Sequence, residues 1–372
     1  MRIKVLHVTQ ATGGVETSLL LLFRHLDQDR FELHLACPPD TLLAVESRKL
    51  GIRVWETAMV RAVRPIRDYL SLRRLVDIMR RERFDIVHGH SAKGGYLSRL
   101  AGRLVGGAKI IYHPRAFSYL SQRGIGRAFF LLLERLAVRW TDVVIATSES
   151  ERRRAIADVG FPPARVVVIP NSIDVTEVNG GLSKQRDRPK TVLTVGRLSF
   201  QKNPEMFVRV AKRVAALRQD VRFVMLGGGF AGPLEHRTRE LVVNCGLEQR
   251  LTILPWRSKA ETLREIAACD VFVLTSRFEG MPNTLLEALM LGRPAVTTDV
   301  DGSRDVLAAG GGRVVPIDGD ETMATSILEY LDDPARAAEE GERGSRQVRE
   351  NFAVRRNVEI LENSYRSLLN RT

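Results

Sequence analysis

Two carboxylates, Glu279 and Glu287, stand with seven residues between them in the run Thr275-Ser276-Arg277-Phe278-Glu279-Gly280-Met281-Pro282-Asn283-Thr284-Leu285-Leu286-Glu287. The apolar stretch Val271–Leu274 before this run reads as a buried strand, and the pattern after Pro282 reads as a helix over Thr284–Leu291. The first turn of such a helix, at Asn283, Thr284 and Leu285, aims N–H groups and the positive end of its dipole back toward the strand end. Those donors suit a diphosphate, each interaction with the dipole giving about 0.3–1 kcal/mol. Glu287, one turn inside, can accept hydrogen bonds from ribose hydroxyls; on its own it is equally a surface helix residue, and Glu279 equally a loop charge. A second run, Gly196-Arg197 with Lys202-Asn203-Pro204, follows the strand pattern Thr191–Val195. Two cations at a strand end can neutralise a diphosphate, each charge-assisted bond being worth about 1.5–3 kcal/mol. A third is Gly13-Gly14, between a strand and a helix. Glycine there lets the backbone approach a phosphate, or simply makes a tight turn. It belongs to neither a GxGxxG fingerprint nor a Walker loop, whose lysine is missing.

The elements that must position these residues alternate. Strand patterns at Ile3–Val8, Phe31–Ala36, Arg53–Trp55, Asp85–His88, Lys109–His113, Asp142–Ala146 and Arg165–Ile169 are separated by helix patterns at Val15–Leu26, Ile66–Arg83, Gly94–Val105, Ile125–Trp140 and Glu149–Val159. In the second of these helices Ile66, Tyr69, Leu70, Val76 and Met79 fall near one side, with arginines on the other. Asn171–Pro189 carries Gly180-Gly181, a mixed-charge run and no apolar periodicity, and reads as a linker. The pattern then restarts, with strands at Thr191–Val195, Arg222–Leu226, Leu251–Leu254, Val271–Leu274 and Ala295–Thr298. Helices at Pro204–Leu217, Leu234–Cys245, Ala260–Ala268 and Thr284–Leu291 lie between them, and Ala353–Leu369 is a last helical pattern. Such alternation implies an α/β chain of two Rossmann-like units, each a parallel sheet wrapped by helices. The expected division is 1–172, 173–189 as linker, and 190–352, with 353–372 returning to the first unit. Open sheets of this kind bind ligands beyond the C-terminal ends of their strands, which is where the three runs fall.

Composition sets the class. With 372 residues, 44% hydrophobic and 27% charged, the chain can build two buried cores. Cys37, Cys245 and Cys269 are dispersed and odd in number, which suggests reduced thiols in a cytoplasm. Met1–Thr9 reads as a first strand rather than a signal peptide. The apolar run Ala128–Val138 contains Glu134 and Arg135 and is far short of the ~20 residues a spanning helix needs. Net charge is +13, and residues 61–139 hold 17 Lys or Arg against five Asp or Glu. Such a stretch attracts polyanions or an anionic membrane surface, or is a solvated face. No RNA or DNA motif accompanies it, and its arginines are not interleaved with stacking aromatics, so a nucleic-acid partner is not expected. His88-Gly89-His90 ends a strand, but no third ligand of convincing spacing accompanies it, so no metal site is expected. His7, His25, His34 and His236 read as structural or surface.

The combination resembles the retaining GT-B glycosyltransferases of family four, the group 1 transferases. The pieces that carry the resemblance run in order: Gly13-Gly14, Ile169-Pro170-Asn171-Ser172-Ile173-Asp174, Val195-Gly196-Arg197-Leu198 with Lys202-Asn203-Pro204, and Glu279 with Glu287. Leu226-Gly227-Gly228-Gly229 and Leu254-Pro255-Trp256-Arg257 are similar to further family stretches. The resemblance implies two domains facing a central cleft, with the C-terminal helix crossing back to the N-terminal one. It implies that Arg197 and Lys202 hold the diphosphate of a UDP- or GDP-sugar, that Glu287 binds ribose, and that Glu279 contacts the transferred sugar. Asn283, Thr284 and Leu285 would offer backbone donors, Gly227 and Arg257 would border the nucleotide, and Gly13 and Gly14 would lie against the donor from the other domain. No metal is implied, cationic side chains replacing it. Glu279, Arg115, Arg197 and Lys202 are thus the catalytic candidates, and His88, His90, His113 and Arg115 those on the acceptor side. The acceptor would be polyprenyl-diphosphate-linked or a saccharide, in cell-surface polysaccharide or glycolipid synthesis, and the expected place is the cytoplasm, either free or, through the basic stretch, peripheral on the inner face of the membrane. One departure stands out: where relatives carry a histidine near the sugar, the stretch here reads His113-Pro114-Arg115-Ala116-Phe117. An arginine, with a pKa above ~12, is no base. Loss of catalysis with retained nucleotide-sugar binding is therefore the alternative, and a 2-epimerase on the same architecture is disfavoured by the glutamate spacing.

Overall fold

The computed structural model describes residues 2–10, 13–60, 62–176, 188–229 and 233–370. The chain divides into two compact units, Met1–Ser172 with Val354–Thr372, and Ile173–Ala353.

The first unit runs β1 (Ile3–Val8), α1 (Gly14–His25), β2 (Phe31–Cys37), α2 (Leu42–Lys49), β3 (Arg53–Glu56), α3 (Pro65–Glu82), β4 (Ile86–His90), α4 (Ser91–Val105), β5 (Lys109–His113), α5 (Gly124–Ala137), β6 (Val143–Ala146), α6 (Glu149–Arg154) and β7 (Val166–Val168). The seven strands are parallel, in the order β3-β2-β1-β4-β5-β6-β7. Alternate residues along a strand face opposite sides of the sheet. Val5 therefore joins Leu19, Phe23 and Leu33 in one core, while Leu6 and Val8 join Leu75, Ile78, Leu97 and Ala101 in another.

The second unit runs β8 (Lys190–Val195), α7 (Pro204–Leu217), β9 (Val221–Gly228), α8 (Pro233–Asn244), β10 (Leu251–Pro255), α9 (Lys259–Ala268), β11 (Val271–Leu274), α10 (Asn283–Met290), β12 (Ala295–Thr298), α11 (Asp301–Leu307), β13 (Gly312–Val315), α12 (Asp320–Asp332) and α13 (Pro334–Asn351). Its six parallel strands are ordered β10-β9-β8-β11-β12-β13. The last helix, α14 (Val354–Leu369), belongs to the first unit, where Val358, Leu361 and Tyr365 complete the core that holds Val5.

Several expectations need correction. Ile66, Tyr69 and Leu70 do not face the core: Ile66 is 78% exposed, and α3 instead buries Ser71, Leu75, Val76, Ile78 and Met79. The first two turns of α3 thus carry apolar side chains that are largely exposed. The helix read over Ile125–Trp140 ends as α at Ala137 and finishes as a 3-10 turn, Val138–Trp140. That over Glu149–Val159 widens into a π turn at Ala155–Val159. The linker reading of 173–189 overlaps ordered structure at its start, since Ile173 pairs with Ala353 and donates its N–H to the Phe352 carbonyl. Residues 177–187 lie outside the described residues. Helix α2, announced by the Thr41 side chain that accepts the Ala44 N–H, was not anticipated, nor were α11 to α13 and β13.

Helix α5 is built inside out. Its buried residues are Glu134 and Ala137, while Ile125, Phe129, Leu132 and Leu136 are exposed at helical spacing. The Glu134 carboxylate accepts from Arg99 Nη2 at 2.9 Å and from the Tyr112 hydroxyl at 2.8 Å. Arg99, fully buried on α4, lies 3.8 Å from the centre of the Tyr112 ring and also donates to the Gly95 carbonyl. This cluster ties α5 to α4 and β5.

Candidate functional site

Both sheets change winding direction at one place. In the second unit the strands step outward from β8 through β9 to β10, then resume on the other side of β8 with β11. The crevice beyond the ends of β8 and β11 is the topological switch point, where open α/β sheets take ligands. Arg197 and Lys202 follow β8; Glu279 and the N-terminus of α10 follow β11. The two loops are laced together. Thr275 Oγ1 donates to the carbonyls of Lys202 and Asn203 at 2.8 and 3.0 Å, and Arg277 N–H donates to the Gln201 carbonyl at 2.7 Å. Asn203, buried and left-handed at φ 51°, turns the chain into α7.

That lacing brings two candidate residues into direct contact. Lys202 Nζ lies 2.7 Å from Glu279 Oε1, which also accepts from the Ser276 hydroxyl at 2.7 Å, and Gln201 Nε2 reaches Glu279 Oε2 at 3.2 Å. Glu279 is buried, so its charge is matched inside the loop rather than by water. Glu287 is buried as well and pairs with Lys259, the first residue of α9. Lys259 was missed at the level of sequence. Its only signal is its place two residues after Trp256-Arg257. Arg257 itself pairs with Glu265 at 3.4 Å and is partly exposed. Of the three α10 donors, Leu285 N–H is already engaged with the Pro282 carbonyl at 3.1 Å, while the Thr284 hydroxyl is buried without a partner. Gly227 is positioned by steric necessity. At φ 140° its Cβ would sit 2.1 Å from the Gly196 carbonyl oxygen, so the ends of β8 and β9 could not converge around a side chain.

In the first unit the switch point lies between β1 and β4. Register places His7 beside His88, and His90 beside His113. Structure thus supplies the third neighbour that spacing did not reveal: His7, His88 and His90 offer ring nitrogens within 4.8 Å of one another, all buried. His7 Nδ1 and His90 Nε2 are 3.0 Å apart, and His88 Nδ1 is 2.7 Å from the Tyr365 hydroxyl of α14. Burial, with the Arg115 cation alongside, pushes His7 down to about 3 and holds His88, His90 and His113 well below the ordinary histidine range. The rings are therefore neutral at physiological pH. Arg115 also departs from expectation, since burial lowers it to about 10; it remains a cation at neutral pH and still is no base. Its backbone is left-handed at φ 54°, and Nη1 donates to Asn171 Oδ1 at 3.0 Å. His88, His113 and Arg115 line one cavity of about 40 Å³, whereas His90 does not line it. Gly13 precedes α1. Its N–H is taken by Glu16 Oε2 at 2.7 Å, so this donor is spent on capping α1.

Comparison with known proteins follows the same division. The family model described as Glycosyltransferase Family 4 matches residues 12–177, and that described as Glycosyl transferases group 1 matches residues 182–347. A relative from Escherichia coli, UDP-Gal:alpha-D-GlcNAc-diphosphoundecaprenol alpha-1,3-galactosyltransferase, is 30% identical over 317 residues, 81% of each chain. The chain belongs to the GT-B glycosyltransferases of family four, group 1. Two solved structures share its fold. Sucrose-phosphate synthase from Thermosynechococcus elongatus has a TM-score of 0.84 at 19% identity, covering 100% of both chains. Anabaena HepE in complex with UDP-glucose has a TM-score of 0.82 at 19% identity, covering 98% of this chain and 100% of that one. As a family member the chain is a glycosyltransferase enzyme, and no helix among the described residues is long and apolar enough to cross a membrane.

Proposed function

We propose that this enzyme moves a sugar from a UDP- or GDP-sugar to a polyprenyl-diphosphate-linked or saccharide acceptor, with retention of anomeric configuration and without a metal ion at the diphosphate. The observation that carries the reading is the convergence of Lys202, Glu279 and the α10 N-terminus at the switch point between β8 and β11. In this reading Arg197 and Lys202 take the diphosphate, with backbone donors from Asn283 and Thr284. Lys202 then exchanges part of its interaction with Glu279 for phosphate oxygens, which frees Glu279 for the sugar hydroxyls. Glu287 takes the ribose, and Trp256-Arg257 borders the base. The departing phosphate oxygen accepts the acceptor's proton as the new glycosidic bond forms, so no protein base is needed. Residues 190–352 serve the donor, and 1–172 with 353–372 serve the acceptor. The relative named for GlcNAc-diphosphoundecaprenol supports a lipid-linked acceptor.

The test is release of nucleotide diphosphate from UDP- and GDP-sugars with and without polyprenyl-diphosphate-sugar acceptors. Acceptor-dependent release is expected. Donor binding with no acceptor-stimulated turnover would leave a nucleotide-sugar-binding protein instead. Arg115→Ala should abolish most transfer while leaving nucleotide affinity nearly intact. Transfer at the parent rate would make Arg115 merely structural.

The surface of the first unit supports work at a bilayer. Exposed Ile125, Phe129, Leu132 and Leu136 run along α5, and exposed Arg123, Arg127, Arg135 and Arg139 flank them. Each basic residue near an anionic surface contributes about 1 kcal/mol, within a Debye length of ~8 Å. Apolar side chains entering the headgroups add to that. Sedimentation with anionic vesicles should pull the enzyme down reversibly, salt should release it, and Phe129→Glu with Leu132→Glu should weaken binding. Equal binding to neutral vesicles, or none at low salt, would favour a soluble acceptor.

A further inference from the structure

The cavity of the first unit carries an unbalanced charge. Its polar lining includes Arg115, His88, His113, Ser18, Asn171 and Asn357, and its apolar lining includes side chains of α1 and α14. Among the described residues no Asp or Glu lines it. The carboxylate nearest in electrostatic effect, Glu151, is committed: it accepts the Ala116 N–H at 2.7 Å, the Thr147 N–H at 2.6 Å and the Thr147 hydroxyl at 2.8 Å. Among the described residues Arg115 forms no ion pair, and its side chain hydrogen-bonds to the neutral Asn171 oxygen. Three polar atoms of the lining residues are buried and without partners: Arg115 Nε, His88 Nε2 and His113 Nε2. A half-buried cation without a counter-ion among the described residues, beside orphaned buried nitrogens, is a costly arrangement that a ligand of opposite charge would relieve.

A metal ion is the poorer match. A dication held by His88 and His90 would face the Arg115 charge, whose field already acts on both rings.

We propose that this cavity is a subsite for a tetrahedral oxyanion, phosphate or the terminal phosphate of a diphosphate. Arg115 supplies the charge and the Nε–H donor. His88 supplies a second donor in the tautomer whose Nδ1 accepts from the Tyr365 hydroxyl and whose Nε2 bears the proton, and His113 supplies a third from Nε2. About 40 Å³ of space holds roughly three water-sized oxygens, the scale of one such anion. Tyr365 is thereby a positioning residue, selecting the His88 tautomer from α14. The inference rests on the acceptor-side reading of Arg115 and names the chemistry that residue meets, an anionic group of the acceptor or a free anion of the same shape.

Inorganic sulfate, whose charge is constant across neutral pH, is the probe. Calorimetry on the full chain carrying Arg197→Gln and Lys202→Gln removes competing anion binding in the second unit. One sulfate should bind, and adding Arg115→Gln should weaken it about 10- to 150-fold, with Arg115→Lys in between. Nitrogen-15 spectra of the otherwise unaltered histidines should show Nε2–H tautomers for His88 and His113 that shift on sulfate addition, a readout that needs no cavity variant. Geranyl diphosphate competing with sulfate where geraniol does not assigns the subsite to the acceptor. Sulfate binding without such competition assigns it to a free anion. Absence of sulfate binding, equal affinity after Arg115→Gln, or unmoved histidine signals would overturn the proposal. If transfer activity persists in that case, the transferase reading stands without the subsite.

Discussion

Replacing Glu134 with alanine should destabilise the enzyme by about 3–5 kcal/mol, the usual consequence of breaking a buried ion pair from one side. Arg99 is fully buried, and among the described residues Glu134 is the carboxylate it pairs with. Without it the guanidinium keeps the Gly95 carbonyl and the Tyr112 ring face, and Tyr112 loses the acceptor for its hydroxyl. Water cannot easily replace the carboxylate, because α5 packs over the site. Denaturant unfolding followed by a spectroscopic probe of the first unit checks this. Glu134→Gln, which keeps an acceptor but not the charge, should lose less. Arg99→Met combined with Glu134→Leu should recover much of the loss, since exchanging both charges for apolar groups removes their desolvation as well as their attraction. A single-variant loss under 1 kcal/mol would mean that solvent reaches Arg99.

The second large effect is functional. Glu287→Ala should weaken nucleotide-sugar binding roughly 10- to 150-fold, the equivalent of about 1.5–3 kcal/mol of charge-assisted hydrogen bonding to ribose. The fold should tolerate the change, because Lys259, left without its carboxylate, is partly exposed and can be hydrated. Calorimetry with UDP and GDP, alongside the unfolding temperature, separates the two effects. Unchanged affinity with an intact fold would remove Glu287 from the donor site. Lys259→Ala is a useful companion, since it leaves Glu287 without its cation and reports how the pair shares the ligand.

Much of the fold could be read from alternating apolar runs, because strands buried on both faces announce themselves without tertiary context. The strands of the second unit up to Thr298 lie within a residue or two of their expected places, β9 included, whose C-terminal end runs two residues further. What could not be read was orientation. Ile66, Tyr69 and Leu70 look like a core face by spacing alone, yet they are exposed, and a buried carboxylate sits in the middle of the apolar α5. Periodicity identifies a stripe but not the side on which the protein lies. The candidate residues show the same limit. Glu279, Glu287, Arg197 and Lys202 were legible as a set because loops after strands share one end of a sheet. That Lys202 pairs with Glu279, that Lys259 pairs with Glu287, and that His7 completes a group with His88 and His90 depends on contacts across many residues, for which local sequence carries no signal.

The return of α14 to the first unit bears on how the chain is made. A ribosome delivers residues in order, and domains generally fold as they emerge. Here the first unit lacks Val358, Leu361, Tyr365 and Leu368 until α14 is synthesised, so the apolar side of α1 and β1 stays uncovered while the whole second unit is translated. The second unit is continuous and can close first. During synthesis the first unit therefore carries an open hydrophobic groove until α14 emerges to fill it. A ribosome-bound chain stalled before residue 354 should be held by holdase chaperones far more strongly than the completed enzyme.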